Sequence, residues 1–244
     1  MQTFLLAAGL GTRLKPLTDT MPKALVPVAG TPLIKLISQK LIQSGAQRIV
    51  INAHHFADQI IDFVNKEEWD VDVMISHESN QLLDTGGGLR KARSLFLPDM
   101  PILIHNVDIL SNADLTRFYA EGEGKAATLL VSERKTQRYL LFDESMRLVG
   151  WINEATGQVK SPYPDLQPDK CRRYAFSGIH QIDPVLFPRF EGWPAKFSII
   201  DFYLSICRDV PVYGHLQEGF RLMDVGKLDT LAQAEVFLEE IEAL

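Results

Sequence analysis

Hydrophobic residues change their spacing repeatedly along the first half of the chain, and each change marks a new element. Residues 3–7 are a short apolar run that stops at Gly9 and Gly11, as a buried strand does before a loop. Residues 33–41 carry apolar side chains at helical spacing and end near Gly45. Residues 48–52 read as a buried strand, 58–64 as a helix, 71–76 as a strand and 89–96 as a helix. Residues 101–105 form a strand that leads into Asn106-Val107-Asp108. Strands alternating with helices across short connections predict right-handed βαβ units and a parallel sheet covered on both faces.

After about residue 126 the pattern changes. Residues 128–131, 139–142 and 148–152 suit strands of a mixed or antiparallel region, and Pro162, Pro164 and Pro168 predict an excursion loop over 157–170. Residues 174–182 and 210–213 follow as strands, 199–207 as a helix, and 228–241 as a closing amphipathic helix. The fold expected is α/β: a three-layer, Rossmann-like arrangement with a mixed, mainly parallel sheet and helices on both faces. All 244 residues form a single domain in this reading.

Composition narrows the function. The chain has 25 Lys and Arg against 31 Asp and Glu, a formal charge of −6, and no long basic run, which argues against nucleic-acid binding. Cys171 and Cys207 lie far apart and fit two reduced thiols. The N-terminus lacks the charged region and apolar stretch of a signal peptide, and no run nears the ~20 apolar residues that span a bilayer. A soluble, cytoplasmic protein without membrane contact is expected. A homodimer is the default assembly on general grounds. Six histidines are scattered without metal spacing, and no Ser-His-Asp or Cys-His arrangement is present.

Three motifs fall where an open α/β sheet binds ligands, beyond the carboxyl ends of strands. The first is Ala7-Ala8-Gly9-Leu10-Gly11-Thr12-Arg13, followed by Pro22-Lys23. Two glycines allow a tight turn with backbone N–H groups near a polyphosphate, and Arg13 and Lys23 supply the charge that phosphoryl transfer needs. It is neither the dinucleotide fingerprint nor a Walker loop, because Leu14 replaces the third glycine and no Gly-Lys-Ser/Thr follows. The second motif runs from Glu78 through Leu82-Leu83-Asp84-Thr85 to Gly86-Gly87-Gly88. Its glycines allow close approach to a flat ligand, and Glu78 can accept from ring N–H groups. The third pairs Asp108 with Asp224 in Arg221-Leu222-Met223-Asp224-Val225-Gly226. Each is a hard carboxylate at a strand end, of the kind Mg²⁺ prefers.

The string over residues 6–32, L-A-A-G-L-G-T-R-L-x-P-L-T-x-x-x-P-K-x-L-x-P-V-A-G-x-P, resembles the signature of the sugar-phosphate nucleotidylyltransferases. The second motif, E-x-x-x-x-L-[ED]-T-G-G-G over residues 78–88, resembles most closely the N-acetylmuramate 1-phosphate uridylyltransferases and the mannose- and heptose-1-phosphate guanylyltransferases. That resemblance implies a nucleotide-diphospho-sugar transferase fold. Residues up to about 125 would bind the nucleotide, and about 126–244 the sugar phosphate. Ala8, Gly9, Gly11, Thr12 and Arg13 would wrap the triphosphate, and Lys23 would hold its α-phosphate region. Glu78, Asp84, Thr85 and Gly86 would contact the nucleotide. Asp108 and Asp224 would be the Mg²⁺ ligands, although Val107 replaces a usual glycine and Leu222-Met223 a usual tryptophan context. Asn106, Gly150, Glu154, Ser177, Gly178 and Lys196 would face the sugar phosphate, although the lysine and proline that usually follow the glutamate are absent. Arg134 and Arg138 could serve a phosphate or a carboxylate, but a solvated strand edge is the plainer expectation. The implied partners are a nucleoside triphosphate and a sugar 1-phosphate. UTP with N-acetylmuramate 1-phosphate or a similar hexose phosphate leads, and GTP with mannose or heptose 1-phosphate is the alternative. A catalytically silent regulatory subunit on the same fold is the other alternative.

Overall fold

The structure is a computed structural model that describes residues 1–242. In chain order the elements are β1 (Gln2–Leu6), β2 (Pro27–Val28), β3 (Thr31–Pro32), α1 (Leu33–Gln43), β4 (Arg48–Ala53), α2 (Ala57–Lys66), β5 (Asp72–His77), α3 (Asp84–Ala92), β6 (Ile102–Asn106), β7 (Ile109–Ser111) and α4 (Leu115–Glu121). There follow β8 (Ala127–Ser132), β9 (Arg138–Phe142), β10 (Leu148–Asn153), β11 (Gln158–Lys160), β12 (Arg172–Ile182), α5 (Ile199–Ile206), β13 (Val212–Leu216), β14 (Leu222–Asp224) and α6 (Leu228–Glu242).

Strand periodicity builds the three layers. Successive side chains of a strand point to opposite faces. On β1, Phe4 joins one apolar cluster and Leu5 the other, and on β6 Ile102 and Ile104 face away from Leu103. Helices α1, α2, α4 and α6 cover one face through residues such as Ile37, Ile60, Phe118 and Phe237. Helices α3 and α5 cover the other through Leu89, Ala92, Phe202 and Tyr203. Strands buried on both faces read as continuous apolar runs, which is why the parallel centre was visible in the sequence.

The main sheet runs β11-β10-β9-β12-β6-β1-β4-β5, with β8 and β13 attached beside β12. Pairing is parallel through β6, β1, β4 and β5, and antiparallel where β12 meets β6, β8 and β9. The mixed sheet with helices on both faces is the expected class. Three local expectations change. The helix placed at 89–96 begins at Asp84 and ends at Ala92. The 157–170 excursion opens with β11, because Gly157, at φ +69°, turns the chain back so that Lys160 pairs with Trp151. The strand at 210–213 lies further on, at Val212–Leu216. Among the described residues no helix is long and apolar enough to cross a membrane.

Candidate active site

Strand β1 sits between β4 and β6, so the order of connection reverses beside it, and such a switch point opens a crevice beyond the strand ends. A cavity of about 360 Å³ lies there. Its wall comes from Ala7, Ala8 and Gly9 after β1, Asn52 on β4, Asn106 and Asp108 at the end of β6, Asp84 and Thr85 at the start of α3, and Lys23 and Lys196. Two lysines, a glycine loop and two acids therefore share one space, and the lysines and loop suit a polyphosphate.

Gly11 shapes the loop. It sits at φ +64°, and a Cβ there would come within 2.8 Å of Thr18 and 2.9 Å of Lys23, so only glycine fits. The Thr18 hydroxyl donates to the Gly11 carbonyl at 2.9 Å and fastens the turn. Gly9 faces open space, leaving its backbone accessible. Thr12 and Arg13 follow in a single 3₁₀ turn, which buries Leu14 and projects Arg13 outward, with its guanidinium 3.8 Å from Asp224. Lys23 is 8% exposed and ion-pairs with Asp108, as a buried ammonium requires.

Glu78 is held in a buried bridge and does not line the cavity. Its N–H donates to Ala53 at 2.8 Å, which extends the β4–β5 pairing and turns the side chain inward, where the residue is 1% exposed. One carboxylate oxygen accepts from Asn52 Nδ2 and the other from the Leu83 N–H, each at 2.8 Å. Asn52 Oδ1 in turn accepts from Ala7 and Ala8 N–H at 2.7 and 3.2 Å. The carboxylate thereby ties the 78–83 loop to the glycine loop through Asn52. Sequence reasoning missed Asn52; its signal was a polar residue near the end of an otherwise apolar strand.

Gly86 does not line the cavity either. The three glycines lie inside the first turns of α3, and a Cβ on them would strike the Phe197 ring, the Ala195 carbonyl and the Glu78 carboxylate in turn. Gly86 and Gly87 both donate N–H groups to Phe197 O, at 3.0 and 3.3 Å, so Gly86 has no free backbone donor for a nucleotide. The glycines instead let α3 press against residues 195–197 and hold Lys196 in the cavity. Arg90 secures the same segment by donating to the carbonyls of Phe190, Trp193 and Pro194 at 3.3, 2.8 and 2.8 Å. Asp84, at φ +63°, accepts the Thr85 N–H at 2.6 Å, and Thr85 accepts the Ile199 N–H at 2.9 Å.

The backbones at Asp108 and Asp224, far apart in sequence, are brought together because β7 and β14 form a two-stranded antiparallel sheet that sets Asp224 opposite Ile109. The Val225 N–H donates to the Asp108 carbonyl at 2.8 Å. Asp224 Oδ1 is buried with no hydrogen-bond partner, which is unfavourable for a carboxylate unless a cation meets it. Among the described residues no group of three or more His, Cys, Asp or Glu clusters to hold a metal. Two carboxylates fit a hard divalent cation that completes its shell with water and phosphate oxygens. His105, beside Asn106, is buried; burial lowers its pKa to about 4, leaving it neutral near pH 7.

Of the residues expected to face the sugar phosphate, Asn106 and Lys196 line the cavity, and Gly178 supports it: a Cβ there, at φ +78°, would press on Asn106 Nδ2 at 2.7 Å. Three others do not line it. Ser177 is buried and donates to Leu130 O at 2.6 Å. Gly150 lies beneath Leu166, and Glu154 pairs with Arg173 at 3.0 Å. Strand alternation is the reason, since Trp151 and Asn153 point the other way, into a second cavity of about 560 Å³ with Phe176 and Ser198. Arg134 and Arg138, both exposed, line that cavity too.

With the site described, comparison with known proteins gives a consistent result. The chain is 29% identical over 245 residues to N-acetylmuramate alpha-1-phosphate uridylyltransferase of Caulobacter vibrioides, covering 96% of each. It is 32% identical to a mannose-1-phosphate guanyltransferase of Schizosaccharomyces pombe, over 93% of this chain and 61% of that one. The crystal structure of HddC from Yersinia pseudotuberculosis shares the fold, with a TM-score of 0.77 at 21% identity over 97% of this chain and 99% of that one. Residues 2–140, more than half of the chain, match the nucleotidyl transferase family, and the chain belongs to that family.

Proposed function

We propose that this nucleotidyltransferase joins a nucleoside triphosphate to a sugar 1-phosphate and releases pyrophosphate, with UTP and N-acetylmuramate 1-phosphate or a similar hexose phosphate as the leading pair. The observation that carries this reading is the shared crevice of glycine loop, Lys23, Asp108 and Lys196, with Asp224 delivered beside Asp108 by β14. An oxygen of the sugar phosphate attacks the α-phosphorus in line, the bond to the bridging oxygen breaks, and pyrophosphate leaves. The nucleophile is already ionised, so no protein base is needed, consistent with a crevice that offers lysines rather than a nucleophilic triad. Lys23 stabilises charge on the transferred phosphoryl group, Arg13 meets the departing pyrophosphate, and Lys196 holds the sugar phosphate. Asn52 keeps the Ala7 and Ala8 end of the loop in place. Catalysis of this kind is positioning and electrostatic stabilisation. Mg²⁺ held by Asp108 and Asp224 would neutralise phosphate charge. Dependence on nucleoside triphosphates supports a cytoplasmic setting.

The test is pyrophosphate release from UTP, GTP, CTP, ATP or dTTP with a panel of sugar 1-phosphates, with and without MgCl₂. Release that requires both substrates and Mg²⁺ is expected, and the most active pair names base and sugar. Folded protein that binds nucleotide yet releases nothing with any pair would favour a silent regulatory subunit.

A further inference from the structure

We propose that Arg134 and Arg138 form an anion subsite for a carboxylate carried on the sugar of the acceptor, distinct from the phosphate that reacts. The proposal rests on the sugar 1-phosphate reading and names the acceptor's chemical class. Both arginines border two cavities. One, of about 560 Å³, is walled by Trp151 and Phe176 with Asn153 and Ser198 as polar points. The other, of about 760 Å³, reaches Arg13 and Asp224. The two arginines thus border both the cavity that reaches Asp224 and a chamber of the size and mixed apolar and polar lining that suit a hexose derivative.

Charge around this chamber is otherwise balanced. Lys160 pairs with Asp201 at 2.8 Å and lies over the Trp151 ring. Arg173 is shared by Glu154 and Asp169. Among the described residues no carboxylate lies within ion-pair distance of Arg134 or Arg138. Arg134 is steadied by one bond, from its Nη2 to Phe176 O at 3.1 Å, which leaves the rest of its fork free. Two unpaired arginines at one cavity edge are notable in a chain of net charge −6. The reacting phosphate already has Lys23 and Lys196 in its own crevice. A second anion on the substrate accounts for the arginines, and a planar carboxylate matches the guanidinium fork in bidentate fashion.

The experiment compares two sugar 1-phosphates that differ chiefly in a carboxylate, N-acetylmuramic acid 1-phosphate and N-acetylglucosamine 1-phosphate, with the wild type, Arg134→Met and Arg138→Met. The expected wild-type kcat/KM ratio favours the acidic sugar at least tenfold, and each variant lowers that ratio about tenfold through KM. An unchanged ratio with both sugars weakened equally would assign the arginines to the common phosphate and overturn the proposal. Wild-type turnover of both sugars without preference would overturn it while leaving the proposed function standing. If no sugar 1-phosphate reacts, calorimetric titration with unphosphorylated N-acetylmuramic acid against N-acetylglucosamine decides independently. Binding of the acidic sugar that both variants lose supports the subsite, and no binding to the wild type removes it. Thermal melting confirms that the variants are folded.

Discussion

The parallel and antiparallel regions of the sheet offer side chains to a ligand in different ways. From β1, β4, β5 and β6 the contacts come mainly from residues at or just beyond the strand ends, held in order by buried polar bonds such as Ala7–Asn52–Glu78. From β9, β10 and β12 the contacts come from strand faces, where Trp151 enters a cavity and its neighbour Gly150 does not. In the first region chemistry depends on where a strand stops. In the second it depends on which way each residue points, so a shift of one position exchanges a ligand contact for a packing residue.

The comparison can be tested where its effects should be largest. Asp224→Ala removes the carboxylate that β14 carries to Asp108, and should lower kcat about 10²–10³-fold with the circular dichroism spectrum unchanged. Turnover near the wild-type level would deny the two-stranded β7–β14 sheet its part in the reaction. Asn52→Ala leaves Glu78 buried with an orphaned oxygen and frees the Ala7 and Ala8 amides. It should destabilise the protein by about 1–3 kcal/mol and raise KM for the nucleotide more than for the sugar phosphate. Equal changes in both KM values would mean that Asn52 supports the fold alone.

The seam between the regions gives a pH prediction. Pairing of β6 with β12 sets His105 opposite Ile179 and His180 opposite Ile104. Burial lowers His105 to about 4 and His180 to about 3. The unfolded chain takes up these protons near pH 6.5, before the folded protein does, so stability falls as pH drops below that value and levels off below the folded pKa. On the order of 3 kcal/mol per histidine should be lost by pH 4, read from urea midpoints, with a shallower pH slope in His105→Asn. The smallest effect is expected at Glu154→Gln, which breaks a partly exposed pair with Arg173 worth about 0–1 kcal/mol. Its turnover should stay within about twofold of wild type, because the side chain lines neither cavity. A tenfold loss would return Glu154 to the sugar site.

Much of the fold was legible because the parallel strands are buried on both faces and the helices that separate them keep their own period. The glycine loop was legible for a local reason: Gly9, Gly11, Arg13 and Lys23 lie in one short segment whose turn needs glycine at φ +64°. The hydrogen-bond partners of Glu78 and Gly86 were not legible. Hydrogen bonds to Asn52, Leu83 and Phe197 come from elements remote in sequence, and no local pattern announces them.

The sequence by itself determined the alternating elements, the glycine turn and the presence of two cations and two strand-end acids. Only the tertiary structure decided that Asp224 reaches Asp108, that Lys196 is carried into the crevice by the packing of α3 on residues 195–197, and that Trp151 rather than Gly150 faces the second cavity. The division is physical. Local backbone preference is written in neighbouring residues, whereas strand register and the packing of remote elements are settled only when the sheet closes on its two cores.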